Sequence, residues 1–162
     1  GEMDLDESAL SRWYIMQAGV SRLQEDATSF MFGVGIGRFS YEILGRHPKV
    51  MFVDAHNQWL LILVENGIVA LLSLWLIMAI CAFKALILYW ITDDPLHRAV
   101  AVGYLAGLTG IFISNFFGSP MNSNEIILLH WIMTAVVLRL DVMEREKLYL
   151  REVERRRAGW RR

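Results

Sequence analysis

One cysteine in 162 residues removes whole classes of function. Cys81 sits inside an apolar run, so the chain has no intrachain disulfide and no thiolate metal cluster. The residue reads as a small core side chain. No net charge of either sign builds up: 16 Lys and Arg stand against 17 Asp and Glu, a net charge of −1. That balance gives no overall basic field for nucleic acid. The first residue is Gly1 rather than an initiator Met, and no secretory signal pattern follows. The chain is therefore expected to be the C-terminal portion of a longer polytopic protein, inactive without its upstream helices. A nucleotide loop is missing as well. Gly33, Gly35 and Gly37 are followed by Arg38 where the dinucleotide pattern needs its third glycine, and no Lys-Ser/Thr comes after them. No carboxylate or third histidine stands at matching spacing to His47 and His56, so no metal site and no cofactor is expected.

Apolar residues are abundant. They make up 55% of the chain, with six Trp and a mean hydropathy of +0.36. Three stretches approach the roughly 20 apolar residues that a bilayer crossing needs. Residues 67–90 are the clearest, with Lys84 near the far end, placed to snorkel to the interface. In residues 99–117, Gly103, Gly107 and Gly110 share one helix face, where small residues permit close helix packing. Residues 121–140 open on Asn122, Ser123, Asn124 and Glu125, polar groups suited to headgroup depth. His130, inside that stretch, is expected to bond to a neighbouring helix.

The predicted fold is an all-α integral membrane protein. Residues 1–66 form an outer loop region with amphipathic helices, 67–140 form three transmembrane helices, and 141–162 form a basic tail. The tail is dense in Arg, whereas the loop GSPMNSNE between the second and third spans has no Lys or Arg. The positive-inside rule then puts the tail in the cytoplasm and residues 1–66 on the periplasmic side. Glu144–Lys147 and Glu152–Arg156 have helical ion-pair spacing, so the tail reads as a solvated helix end with some attraction to anionic lipid.

Polar residues with chemical potential gather in the outer region. Residues 8–23 read as a helix with Leu10, Trp13, Gln17 and Val20 on one face and Asp6 or Ser8 as its cap. MFGVGIGRF reads as a turn where backbone approaches something closely. FVDAHNQWLLILVENG then leads into the first span as a helix dipping into the membrane surface. His56, with a reference pKa of about 6.5, is a workable base beside Asn57. Taken alone, such a residue is more often a cap or hydrogen-bonding group than a catalyst. Arg12 and Arg38 flank the glycine turn, and a guanidinium fork matches phosphate.

Together these residues resemble the O-antigen ligase and polymerase family. Arg12 opens an amphipathic helix, SRWYIMQAG. The glycine turn GVGIGRF follows, with Arg38 before Phe39. His56-Asn57 comes next, then QWLLILVEN and Gly67, and a long apolar helix begins at once. The resemblance covers about residues 8–90, and the last two spans fit the family's C-terminal end. Ala70 departs from the Gly, Thr or Tyr often found there. What the resemblance implies is a glycosyltransferase of the bacterial inner membrane. Its donor would be an undecaprenyl diphosphate-linked glycan and its acceptor a lipid A–core or another glycan. Arg12, Arg38 and Asn57 would bind substrate, and His56 would act on the acceptor hydroxyl. The alternatives are a transporter, which predicts ionisable groups in mid-span, and a noncatalytic scaffold of polysaccharide export.

Overall fold

The computed structural model describes residues 7–44 and 56–160. His47, Asp6 and the Ser8 side chain lie outside the described residues. Among the described residues every regular element is helical. These are α1 (Glu7–Leu23), α2 (Ala27–Phe32), α3 (Phe39–Leu44), α4 (Gln58–Ile91), α5 (Pro95–Ser114) and α6 (Asn124–Gly159), with a 3₁₀ turn at Pro120–Asn122. Helices α4, α5 and α6 are long and apolar enough to cross a membrane.

Local chemistry explains several helix ends. Asp26 starts α2 by accepting the N–H groups of Thr28 and Ser29. Its Ser29 contacts, together with the Thr28 N–H, hold the carboxyl at a pKa of about 2, against an ordinary 3.8. Asp94 accepts the Leu96 N–H at 2.8 Å and so starts α5, with Pro95 at a position whose N–H needs no partner. That backbone hydrogen bond pulls the Asp94 carboxyl below its usual range.

The chain divides into two compact units. The first comprises Gly1–Leu76 with Ile111–Ser123. Its core is Ile15, Ala18 and Leu23 of α1, Phe39 of α3, and Leu60 and Val64 of α4. Trp13, Gln17 and Val20 point outward, with Trp13 53% exposed, while the small residues Ala18 and Gly19 face inward. Close approach is the reason: a Cβ on Gly19 would already lie 3.3 Å from Leu60. Trp59, Leu60 and Val64 are likewise buried.

Helix α4 is broken at Gly67, whose φ of 78° and ψ of 175° are not helical. Gly33, which ends α2, has nearly the same conformation, with φ 79° and ψ 178°. The two glycines cross each other's chain. A Cβ on Gly33 would fall 2.2 Å from the Glu65 carbonyl oxygen, and one on Gly67 would fall 2.3 Å from the Met31 carbonyl oxygen. The carbonyls freed by the break are used at once: Val34 N–H donates to Val64 O and Gly35 N–H to Glu65 O, both at 2.9 Å. The close approach expected of the glycine turn is therefore present, and Gly67 is its other half.

The second unit comprises Ile77–Gly110 with Asn124–Arg162. Helix α6 buries one stripe: His130, Thr134, Val137, Asp141 and Glu144. Helix α4 contributes Met78, Cys81, Ala85 and Leu88, so Cys81 is a core residue. Helix α5 buries Ala101, Tyr104 and Leu108. The glycine face of α5 is open instead of packed, for a Cβ at Gly103, Gly107 or Gly110 would meet nothing within 4 Å. Tyr104 takes the packing face. Its ring stacks on His130 at 6.1 Å, and its hydroxyl lies 3.0 Å from that of Thr134. His130 thus meets its neighbouring helix by ring stacking.

A polar seam closes one end of this unit. Lys84 does not snorkel alone: its Nζ donates to Asp141 at 3.1 Å, and Asp141, 2% exposed at its side chain, also accepts from Arg145 at 2.9 Å. Glu144 takes His97 at 2.9 Å and Lys147 at 2.7 Å, and Arg151 reaches Asp93 at 3.0 Å. The Glu152–Arg156 pair in the tail also forms, at 2.9 Å.

Candidate functional site

The four residues singled out by sequence all belong to the first unit. Arg12 is on α1 and exposed. Arg38 leaves the glycine turn. Its N–H donates to Gly35 O at 3.3 Å, its carbonyl accepts the Glu42 N–H at 3.0 Å, and its side chain is exposed beside Gly35. Among the described residues neither arginine makes an ion pair. Arg22 behaves differently. It is held by Glu42 at 2.9 Å, with Glu25 and Asp26 close by.

His56 is exposed and sits at φ 43°, a left-handed conformation rare outside glycine. Holding an L-residue there costs about 1–2 kcal/mol. Strain of this kind gathers at functional sites, where surrounding structure enforces it. The enforcement here comes from the next residue. Asn57 Oδ1 accepts the Leu60 N–H at 3.0 Å and Asn57 O accepts that of Leu61 at 3.1 Å, so Asn57 caps α4. Its side-chain oxygen thus serves the helix start, a structural task that the sequence did not single out.

What joins these groups is backbone. The turn that carries Arg38 is hydrogen-bonded to Val64 and Glu65, and the helix containing those residues starts at the His56–Asn57 cap. Glu65 adds a second tie: its Oε1 accepts the Phe39 N–H at 3.1 Å, directly after Arg38. Its partner lies 26 positions away, so no local pattern announces it. Arg12 is tied in through the buried face of its helix, where Ile15 and Ala18 join the same core as Leu60.

Below the cap lies a group of aromatic rings. Trp59 packs on Phe112 at 5.1 Å and on Trp75 at 5.8 Å, and its Nε1 donates to the Phe112 carbonyl at 3.2 Å. Gln58 N–H is shared between the carbonyls of Asn115 and Gly118, at 2.8 and 3.0 Å. These contacts fix the start of α4 against the end of α5.

A groove of about 520 Å³ runs along the exposed side of α1, lined by Trp13, Met16, Gln17, Val20 and Gln24 among others. It takes in none of Arg12, Arg38, His56 and Asn57. Among the described residues no three His, Cys, Asp or Glu side chains gather as a metal site would need. No protein-family model matches the chain, and no curated protein or solved structure is significantly similar to it.

Proposed function

We propose that this chain is the C-terminal part of a bacterial inner-membrane glycosyltransferase of the O-antigen ligase or polymerase kind. It would take a glycan from an undecaprenyl diphosphate carrier on the periplasmic side. The observation that carries the reading is the crossing of Gly33 and Gly67. Short motifs far apart in sequence, the glycine turn before Arg38 and the His56–Asn57 helix, belong to one backbone-locked body. The resemblance to the family rests on the same motifs in the same order.

The chemistry follows from the groups available. The acceptor hydroxyl oxygen forms a bond to the anomeric carbon of the donor as the bond from that carbon to the diphosphate oxygen breaks. The hydroxyl proton passes to His56. The departing lipid diphosphate needs positive charge more than it needs a proton, and Arg12 and Arg38, exposed and without ion-pair partners among the described residues, supply it.

The assignment of sides rests on the tail arginines together with helix length. At 1.5 Å per residue, Lys84 lies about 25 Å along its helix from Gly67, and Asp141 about 25 Å from Asn124. A hydrocarbon core is about 30 Å thick. On the sidedness that the tail arginines suggest, the Lys84–Asp141 pair would fall near the cytoplasmic end of its span, away from mid-span, where a transporter would need its ionisable groups.

Donor use by the full-length protein tests the role of Arg12. Arg12→Ala is expected to lower transfer from the lipid diphosphate donor more than Arg12→Lys does, because Lys keeps the charge and loses the fork. Wild-type transfer by Arg12→Ala at matched expression would remove Arg12 from the site.

A further inference from the structure

The junction between the start of α4 and the end of α5 holds polar atoms that the fold leaves unused. Asn115 is fully buried, 0% exposed, yet neither its Oδ1 nor its Nδ2 has a hydrogen-bond partner among the described residues. Gln58 is 6% exposed and its Oε1 is likewise unpaired. The buried Trp75 indole Nε1 is unpaired too. These are not scattered defects. Gln58 N–H bonds the Asn115 carbonyl directly, and Trp75 packs on both Trp59, the residue after Gln58, and Phe112, three residues before Asn115.

Buried polar groups in folded proteins almost always find partners, in protein or in a bound molecule. The inventory here defines what that molecule must be. Asn115 Nδ2 and Trp75 Nε1 donate; Asn115 Oδ1 and Gln58 Oε1 accept. A metal cation would be repelled by the two N–H donors and by the positive end of α4. An anion would meet two amide oxygens. A hydroxyl both donates and accepts and carries no charge, so it suits this set. Rings of Trp59, Trp75, Phe112 and Phe116 wall the junction, as aromatic surfaces wall polar sites that fix orientation by a few placed groups.

We propose that Gln58, Asn115 and Trp75 form a binding site for a hydroxyl group, supplied by an ordered water or by a sugar. The site stands apart from the transfer chemistry and does not require His56 to be a base. An ordered water needs two to four polar partners, and these three neighbouring residues carry four unpaired buried polar atoms.

The sign of a stability change tests it. Asn115→Leu and Gln58→Met would be made in the full-length chain, and unfolding in detergent micelles followed by tryptophan fluorescence, with and without glucose. If the amides hold a hydroxyl, both variants melt lower than wild type by several degrees. Glucose raising the melting temperature of wild type alone would identify a sugar hydroxyl; no response to glucose, with both variants still melting lower, would identify water. Variants that melt at or above the wild-type temperature would show the amides to be dry orphans, whose removal relieves a penalty, and would overturn the proposal. Should a variant fail to fold, the wild-type protein decides. The Trp75 indole proton is expected to show a magnetisation-transfer cross-peak to a bound hydroxyl, and the lack of one in water and in glucose would sink the site.

Discussion

Replacing Gly67 with Ala probes the feature that holds the outer region together. Its φ of 78° with ψ of 175° lies in a region essentially reserved for glycine. Occupying it with an L-residue costs about 1–3 kcal/mol. The added Cβ would also sit 2.3 Å from the Met31 carbonyl oxygen and 2.4 Å from its carbon. Those are backbone atoms, so no flexible side chain can swing away, and the two chains must separate. Separation removes the bonds from Val34 to Val64 and from Gly35 to Glu65. Each contributes about 0.5–1.5 kcal/mol net. The sum is about 2–6 kcal/mol, against a total stability of about 5–15 kcal/mol for a typical protein. Gly37→Ala is the control. Gly37 also has a positive φ, 74°, but a Cβ there meets nothing within 4 Å. It should bear only the left-handed penalty of about 1–2 kcal/mol. Thermal unfolding of the full-length chain in micelles measures both variants. Equal losses for Gly67→Ala and Gly37→Ala would refute the crossing as a structural lock, because conformation alone would then explain the pair.

Two further outcomes follow from the second unit. Gly107→Ala on the open face of α5 should leave stability unchanged or raise it by up to about 1 kcal/mol through helix propensity; a marked loss of folded full-length protein would mean that another helix packs on that stripe. Asp141→Leu strips Lys84 and Arg145 of their shared carboxylate, and since both partners are at least one-third exposed the loss should be about 1.5–3 kcal/mol rather than the full cost of a stranded buried charge. The double variant Lys84→Met/Asp141→Leu should recover most of that loss in chemical denaturation, and a double variant no better than the single would refute a direct pairing.

Some of this architecture is legible in the sequence. The three long apolar helices follow from run length, because a bilayer crossing leaves a compositional mark whatever the packing. The glycine turn is legible as a place of close approach, since three glycines in five residues have few other uses. What it approaches is not legible. Gly67 looks like the start of a span, and only the folded chain pairs it with Gly33. Helix faces fail for a physical reason. In α5 nearly every side chain is apolar or small, so periodicity does not separate a packed face from an open one. The glycine stripe pointed to one face, and Tyr104 with Leu108 took another. In α1 the large residues Trp13 and Val20 drew attention, yet Ala18 and Gly19 let Leu60 come near. Two of the structural ties around the candidate residues are also not legible. Asn57 caps a helix through its side-chain oxygen, and Glu65 ties the turn after Arg38 to α4.

The transfer reading centres on His56, and its left-handed backbone chooses the variant that tests it most directly. Asparagine tolerates that conformation and cannot serve as a base, so His56→Asn should preserve the Asn57 cap and the fold while removing the chemistry. Transferred glycan per folded molecule of full-length enzyme is the quantity to measure. General base catalysis is worth about 10²–10⁴-fold, and a fall of that size with unchanged unfolding temperature is the predicted result. Turnover within a few-fold of wild type would contradict the account and leave His56 as the strained residue that precedes a helix cap.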